Sequence, residues 1–435
     1  MAPIIFLVLM PVAHLEVKEK AWAEQCLAQY PEIMYLADAA VRKTEEGDAI
    51  LDGSYSEQIF GQKFVELDRT LMTLHCMKLI LDGGEDAYLQ FTEAQPKEVR
   101  LSRQSFAKLH LQGRSLLISR YEGLSETEMI RAIEAALVLG DIGKSERARE
   151  VFRAYGAKAP DHDDFHGEVM KILEAHPKLS PTFEALPRGA KKILCEAANL
   201  AHYGHVTHLE GSPHQMLSYL KTSGVSRLGL EFDFFVHVCD VAGALGHIDR
   251  RSSKVYTEQA HAAMQGVYSA CMLLREGHTE LEAYNAYLSM RASLLGLDPS
   301  DQTEAILTRI GAMLRLFTPE EGALLREGVR ALDPSVIKAF DVRGIEGGRT
   351  PTYMPAVLVN LMNNERLGNS REERIIQAVA IGLPFLAKVL EQSKTFDKTI
   401  PLNFNGAAGL AKTAPEKLLL DFEIDQEGNV LPVSR

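Results

Sequence analysis

Cysteine is scarce in this chain of 435 residues. The five present, Cys26, Cys76, Cys195, Cys239 and Cys271, are odd in number, scattered and never in a C-x-x-C pair. That excludes a disulfide-stapled mini-protein and a cysteine zinc site, and it fits a reducing compartment, so the expected location is the cytoplasm. Tryptophan occurs once, at Trp22, and the tyrosines do not interleave with basic residues, which leaves a single-strand-binding surface with little support. Positive charge is in deficit: 47 Lys and Arg face 59 Asp and Glu, a net charge of −12. A broad electrostatic grip on a nucleic acid polymer or an anionic membrane needs the opposite. Long apolar runs are missing too. The longest, Pro3 to Ala13, is too short to cross a bilayer and lacks a basic n-region, so it reads as a buried strand or core segment. No internal repeat and no low-complexity tract is found.

What the chain does have is apolar residues in quantity, 46% of the total, enough for a sizeable core. The length suggests two or three domains, or one core with large helical additions. From about Leu15 to Met290 the apolar residues recur at helical spacing, as in Met129, Ile130, Ile133 and Leu137 and in Met264, Val267, Tyr268 and Cys271. The expected fold class is therefore mainly α. Ser125 with Glu128 predicts a capping box, and Ser180–Pro181 and Pro187 with Gly189 mark turns. Gly344 to Thr350 (GIEGGRT) reads as a linker, since it lacks the Lys and Ser/Thr of a phosphate-binding loop. Ala356 to Met362 and Ile375 to Leu390 read as helices, the second kinked by Pro384. Near the end the period changes to two: Leu420, Phe422 and Ile424 alternate with Asp421 and Glu423, and after DQEGN comes Val430. This predicts a terminal β-hairpin, with Pro3 to Ala13 as its expected partner.

Histidine is unevenly spread. Ten of the fourteen (His162, His166, His176, His202, His205, His208, His214, His237, His247 and His261) fall between 162 and 261, together with Asp163, Asp164 and Asp240. Such clustering suggests a metal or phosphate site. In HYGHVTH, neighbouring members of His202, His205 and His208 would share a helix face. In FFVHVCDVAGALGH, His237 and Asp240 fall on one stripe with Ala244. In APDHDDFHGEVM, two histidines and three acids precede a helical pattern.

The order of these motifs resembles the HD-domain superfamily of metal-dependent phosphohydrolases, and most nearly its HD-GYP-like branch, over about residues 106 to 275. His110 matches the family's first histidine. An apolar helix then leads to Asp141, Ile142, Gly143 and Lys144, as in the family's His-Asp-Ile-Gly-Lys. HGEVMKIL is similar to the next histidine helix, LAHYGHVTHLEGSP to a paired-histidine segment, and VCDVAGALGHIDRRSSKVYTEQAHAAM to the last motif. The resemblance implies an HD-like helical domain at 105–275, an N-terminal helical extension at 1–104 and a C-terminal helical region at 276–435.

It also implies metal ligands at His110, Asp141, His166, His205, His208 and Asp240, with His162 and His237 in reserve. Lys144, and Arg250 or Arg251, would contact substrate phosphate, and Asp141 and Lys144 would serve catalysis. The expected cofactor is one or two divalent ions (manganese, iron, zinc or nickel), and the expected substrate a small phosphorylated molecule of the nucleotide kind. Homo-oligomerisation stays open. In a two-metal arrangement, with ions about 3.5–4 Å apart, a bridging hydroxide attacks phosphorus. The chain departs from the pattern at Gly140, which stands where the family has the histidine of its His-Asp pair. That departure makes a catalytically degenerate HD-fold regulatory or scaffold protein without metal the alternative. An iron-dependent oxidase on the same scaffold is a third reading.

Overall fold

The computed structural model describes residues 12–37, 53–159, 162–200, 217, 220, 221, 223–341, 351–397, 400 and 402–433. The fold is mainly α, as the periodicity predicts. The chain divides into two compact units: residues 1–201 with 225–261, and residues 202–224 with 262–435.

The first unit is built on one apolar helix. In chain order it contains α1 (Val12–Gln29), α2 (Tyr55–Phe60), α3 (Val65–Asp82), α4 (Gly84–Phe91), α5 (Arg103–Ile118), α6 (Glu126–Gly140) and α7 (Glu146–Arg153). It continues with α8 (His162–Ala175), α9 (Pro181–Glu184), α10 (Arg188–Ala198) and α11 (Arg227–Gly243). Helix α3 is buried nearly all round, Leu67, Leu71, Cys76 and Ile80 being inaccessible to solvent. A helix apolar on every face belongs at the centre of a core. α11 packs along it, with α4, α5 and α6 also against it.

This is why residues 1–104 do not stand apart from 105–201: the central helix of the unit comes from the N-terminal stretch, and its main partner from residues 227–243. The approach of α11 depends on two glycines. A Cβ at Gly243 would stand 2.5 Å from the Thr73 backbone nitrogen, and one at Gly246 would stand 2.8 Å from the Asp68 carbonyl oxygen. Local signals set the helix ends. Ser125 and Glu128 form the predicted capping box of α6, Ser180 caps α9, and Pro187 precedes α10.

The second unit contains α13 (Glu280–Leu295), α14 (Gln302–Met313), α15 (Pro319–Val329), α16 (Pro334–Lys338), α17 (Met354–Met362), α18 (Arg371–Ser393) and α19 (Asn405–Thr413). The division between units falls within α12 (Glu258–Arg275). Leu295, Ile310, Leu325, Phe340, Leu358, Leu383 and Phe404 form its core. Pro384 sits inside α18, which runs on past it although the ring removes the donor for the Ala380 carbonyl. α18 is long and apolar enough to cross a membrane by length and composition, and half of its most apolar stretch is buried inside the fold.

Two buried arginines serve main-chain ends here. Arg291 donates to the Leu316 carbonyl at 2.6 Å with its guanidinium over Phe317, and Arg309 donates to the Phe340 carbonyl at 2.8 Å. The terminal hairpin is present: β3 (Phe422–Ile424) pairs antiparallel with β4 (Val430–Pro432), Ile424 opposite Val430. Its turn is held by Asp425, which accepts from the backbone of Glu427 and Asn429. A short parallel pair, β1 (Pro351–Thr352) and β2 (Leu402–Asn403), reaches the hairpin through an Asn403–Asn429 bridge. The expected partner of the hairpin, Pro3 to Ala13, lies outside the described residues up to position 11, and Val12 and Ala13 open α1. Gly344 to Thr350 also lies outside them.

Candidate functional site

The C-terminal end of α6 delivers two charged side chains to one place. After Gly140 the chain tightens into a 3₁₀ turn, Ile142–Lys144, which brings the Lys144 ammonium back to Asp141 Oδ1 at 2.8 Å. Lys144 also donates to Glu66 Oε2 at 3.1 Å. Glu66 lies on α3, where Arg69, one turn on, donates from Nη1 to both of its carboxylate oxygens at 3.2 and 3.1 Å. From α11, Asp240 enters the same field: its carboxylate interacts electrostatically with Asp141, Arg69, Lys144 and Glu66. Three carboxylates and two cations from three segments thus form one cluster.

Burial dominates the electrostatics and the counter-ions reshape it. Burial raises the Asp240 pKa, and repulsion from Asp141 adds to this, while Arg69 and Lys144 act against both. Burial disfavours the Lys144 ammonium, but Asp141 and Glu66 outweigh that and hold its pKa above the ordinary value. The same balance holds for Arg69, where burial is outweighed by Asp141, Glu66 and Asp240. The side chains of Asp141, Lys144 and Arg69 keep 19, 20 and 23% of their surface exposed, so this edge of the cluster touches solvent while Glu66 is buried.

The other residues implied by the resemblance occupy varied positions. His166 on α8 places Nδ1 3.2 Å from the carbonyl of Leu139, two residues before Asp141. That contact orients the imidazole ring. His110 places Nδ1 3.0 Å from the Ile80 carbonyl, in the last turn of α3, and its ring fills the space beside Gly83. It serves a helix end there. His237 lies one turn before Asp240 on α11. The side chain of His162 and all of His205 and His208 lie outside the described residues.

The two arginines are engaged near the first unit's own loops. Arg250 donates to the Gly53 carbonyl at 3.0 Å and lies beside the side-chain amide of Gln58. Arg251 pairs with Asp249 at 2.6 Å and with Glu93 at 3.7 Å. Among the described residues, no group of three or more His, Cys, Asp or Glu side chains is arranged to hold a metal ion.

Glu66 and Arg69 escaped the sequence reading. The available signal was an ionic pair three residues apart within VELDRTLMTLHCMKL, a stretch whose leucines and methionines mark it for burial. Asp233 was missed as well. It sits two turns before Asp240 on α11, its Oδ2 without a hydrogen-bond partner among the described residues, and burial pushes its pKa up to about 8.

These features belong to a mainly helical protein with a buried carboxylate–cation cluster at a helix end. The chain itself belongs to a family of unknown function, DUF6829, which matches residues 27–402. Neither the curated proteins nor the solved structures provide a match.

Proposed function

We propose that this protein is an HD-like, metal-dependent phosphohydrolase acting on a small phosphorylated substrate of the nucleotide kind. The observation that carries this reading is the Lys144–Asp141 ion pair at 2.8 Å with Asp240 in electrostatic interaction with both, residues the motif resemblance nominates from two well-separated stretches of sequence. Asp141 and Asp240 offer hard oxygen donors, and His166, fixed on Leu139, offers an imidazole. His205 and His208 would complete the set. A bound divalent ion supplies an activated water and charge stabilisation at phosphorus. The chain's own part is to place a cation beside the carboxylates. Were a divalent ion held by Asp141, Lys144, beside it and paired with Glu66, would be the group placed to contact a phosphate oxygen.

The test is hydrolysis of bis-p-nitrophenyl phosphate and of nucleoside phosphates by the purified chain with manganese(II), beside Asp141→Asn. Turnover that requires the metal and falls at least about tenfold in the variant is expected. Equal rates with and without manganese, or in both proteins, contradict the reading. A second reading, a catalytically degenerate regulatory protein on the same fold, is favoured by Gly140 and by the two cations that already neutralise the carboxylates. Specific binding of a phosphorylated ligand without turnover would support it.

A further inference from the structure

The two edges of the terminal hairpin differ. The Val433 N–H donates to the Asp421 carbonyl at 2.9 Å and the Asp425 N–H to the Asn429 carbonyl at 3.1 Å. Bonded residues alternate along an antiparallel pair, so Asp421, Glu423 and Asp425 address β4, while Phe422 and Ile424 turn their N–H and C=O groups to the other side. No strand pairs with them there among the described residues. The outer edge of β4 is closed: Asn403 bridges to Asn429, α19 packs against the strand, and Pro432 has no N–H to offer. The side chains along the open edge are of two kinds. Leu420, already extended, shares a strand face with Phe422 and Ile424. Those two are buried, but Leu420 keeps 56% of its surface exposed and Leu419 before it 65%. Asp421 and Glu423 are exposed on the opposite face. Asp421 pairs with Lys388 at 3.3 Å, and Glu423 has no ion-pair partner among the described residues. Unpaired strand groups bordered by exposed leucines form a template for an added strand.

We propose that β3 is a docking edge for an extended, basic segment of a partner protein, which joins the hairpin as a third strand. The incoming backbone pairs with the N–H and C=O groups of Phe422 and Ile424. Its side chains alternate between two faces, lysine or arginine lying beside Glu423 and apolar residues covering Leu420. Charge argues against a second copy of this chain as the occupant. Two β3 strands meeting antiparallel about Glu423 would set one Glu423 against the other and Asp421 against Asp425, and like charges directly opposite destabilise a strand pair. The surface lies wholly within the second unit, so it stands independently of the hydrolase reading.

The test is fluorescence anisotropy of the full chain with a short fluorescein-labelled peptide of alternating lysine and valine. Three further peptides accompany it: one with glutamate for lysine, one N-methylated on its lysine amides and one on its valine amides. The lysine peptide is expected to bind, and the glutamate peptide to bind at least about tenfold more weakly. One of the two N-methylated forms should also lose at least about tenfold, because its amides can no longer donate to the β3 carbonyls. Glu423→Lys, a change at an exposed position, should weaken the lysine peptide several-fold. No binding of the lysine peptide, binding indifferent to N-methylation of either set, or unaltered binding to Glu423→Lys overturns the proposal. The peptide comparisons use the wild-type chain and so stand even if the variant is unstable. A wild-type dimer in sedimentation velocity that dissociates in Leu420→Asp would assign the edge to a second copy and overturn it as well.

Discussion

Gly243 packs directly on Thr73, its hydroxyl and its backbone, at a place where a Cβ would lie 2.5 Å from the Thr73 nitrogen and 2.6 Å from its Cα. Thr73 in turn donates its hydroxyl to the Arg69 carbonyl at 2.9 Å, one turn back on α3, and Asp240 lies one turn before Gly243 on α11. The contact therefore sets the register between the helix bearing Glu66 and Arg69 and the helix bearing Asp240. The site's charge geometry is inherited from a backbone approach that only glycine permits.

Gly243→Ala should accordingly cost about 1–3 kcal/mol of stability, because the added methyl meets main chain that cannot give way. Gly140→Ala is the control: nothing lies within 4 Å of its Cβ, so its effect should stay within about 1 kcal/mol. Urea unfolding of both variants decides the matter, and equal midpoints would show that the close approach does not hold the two helices.

Much of the local structure was legible because it is local. The Ser125–Glu128 capping box and the Phe422–Ile424 alternation each declare themselves within a few residues. Asp141, Lys144 and Asp240 were legible through the order of motifs. Glu66 and Arg69 were not, since an i, i+3 ion pair resembles any surface pair until the fold buries it. The unit boundaries were hidden for the same reason, because α3 finds its main partner, α11, far along the chain. Arg250 looked like a phosphate contact by its motif, yet the Gly53 carbonyl takes it; a main-chain oxygen removed from water needs a donor.

The pH dependence of stability should carry the mark of Asp233. Its folded pKa is raised to about 8, so the stability it contributes is complete below the ordinary carboxylate range and is lost as the pH climbs through about 8. Asp68, raised to about 6 by burial, acts in the same direction. His75 and His261, lowered to about 4 by burial, act oppositely as the pH falls. The difference between wild type and Asp233→Asn isolates the first group. The variant should gain on the wild type as the pH rises from 4 to 8, by at most about 1.4 kcal/mol per pH unit. A difference that does not change with pH would refute the assignment.

The hairpin makes its own contribution to the second unit. Phe422, Ile424 and Val430 face the core, Val430 with 1% of its surface exposed, whereas Val433 keeps 37%. Val430→Asp places an unpaired carboxylate in that core and should cost roughly 2–4 kcal/mol. Val433→Asp should leave the melting temperature nearly unchanged. Equal losses would mean that the hairpin's inward face is not what anchors it.

Gly140→His should also fold normally, since the space beside its Cβ is open, and it should raise the affinity for divalent metal if Asp141 and Asp240 form a metal site. Isothermal titration with manganese reads this directly. Unchanged affinity in the variant would place the metal, if any, elsewhere.

The proposed hydrolase requires Asp141 and Asp240 to hold a divalent ion. The most direct measurement is the metal content, by elemental analysis, of protein purified without added metal and after soaking in manganese, iron or zinc, beside Asp240→Ala. About one divalent ion per chain is expected in the wild type and almost none in the variant. No metal in either protein after soaking, or the same content in both, would contradict it.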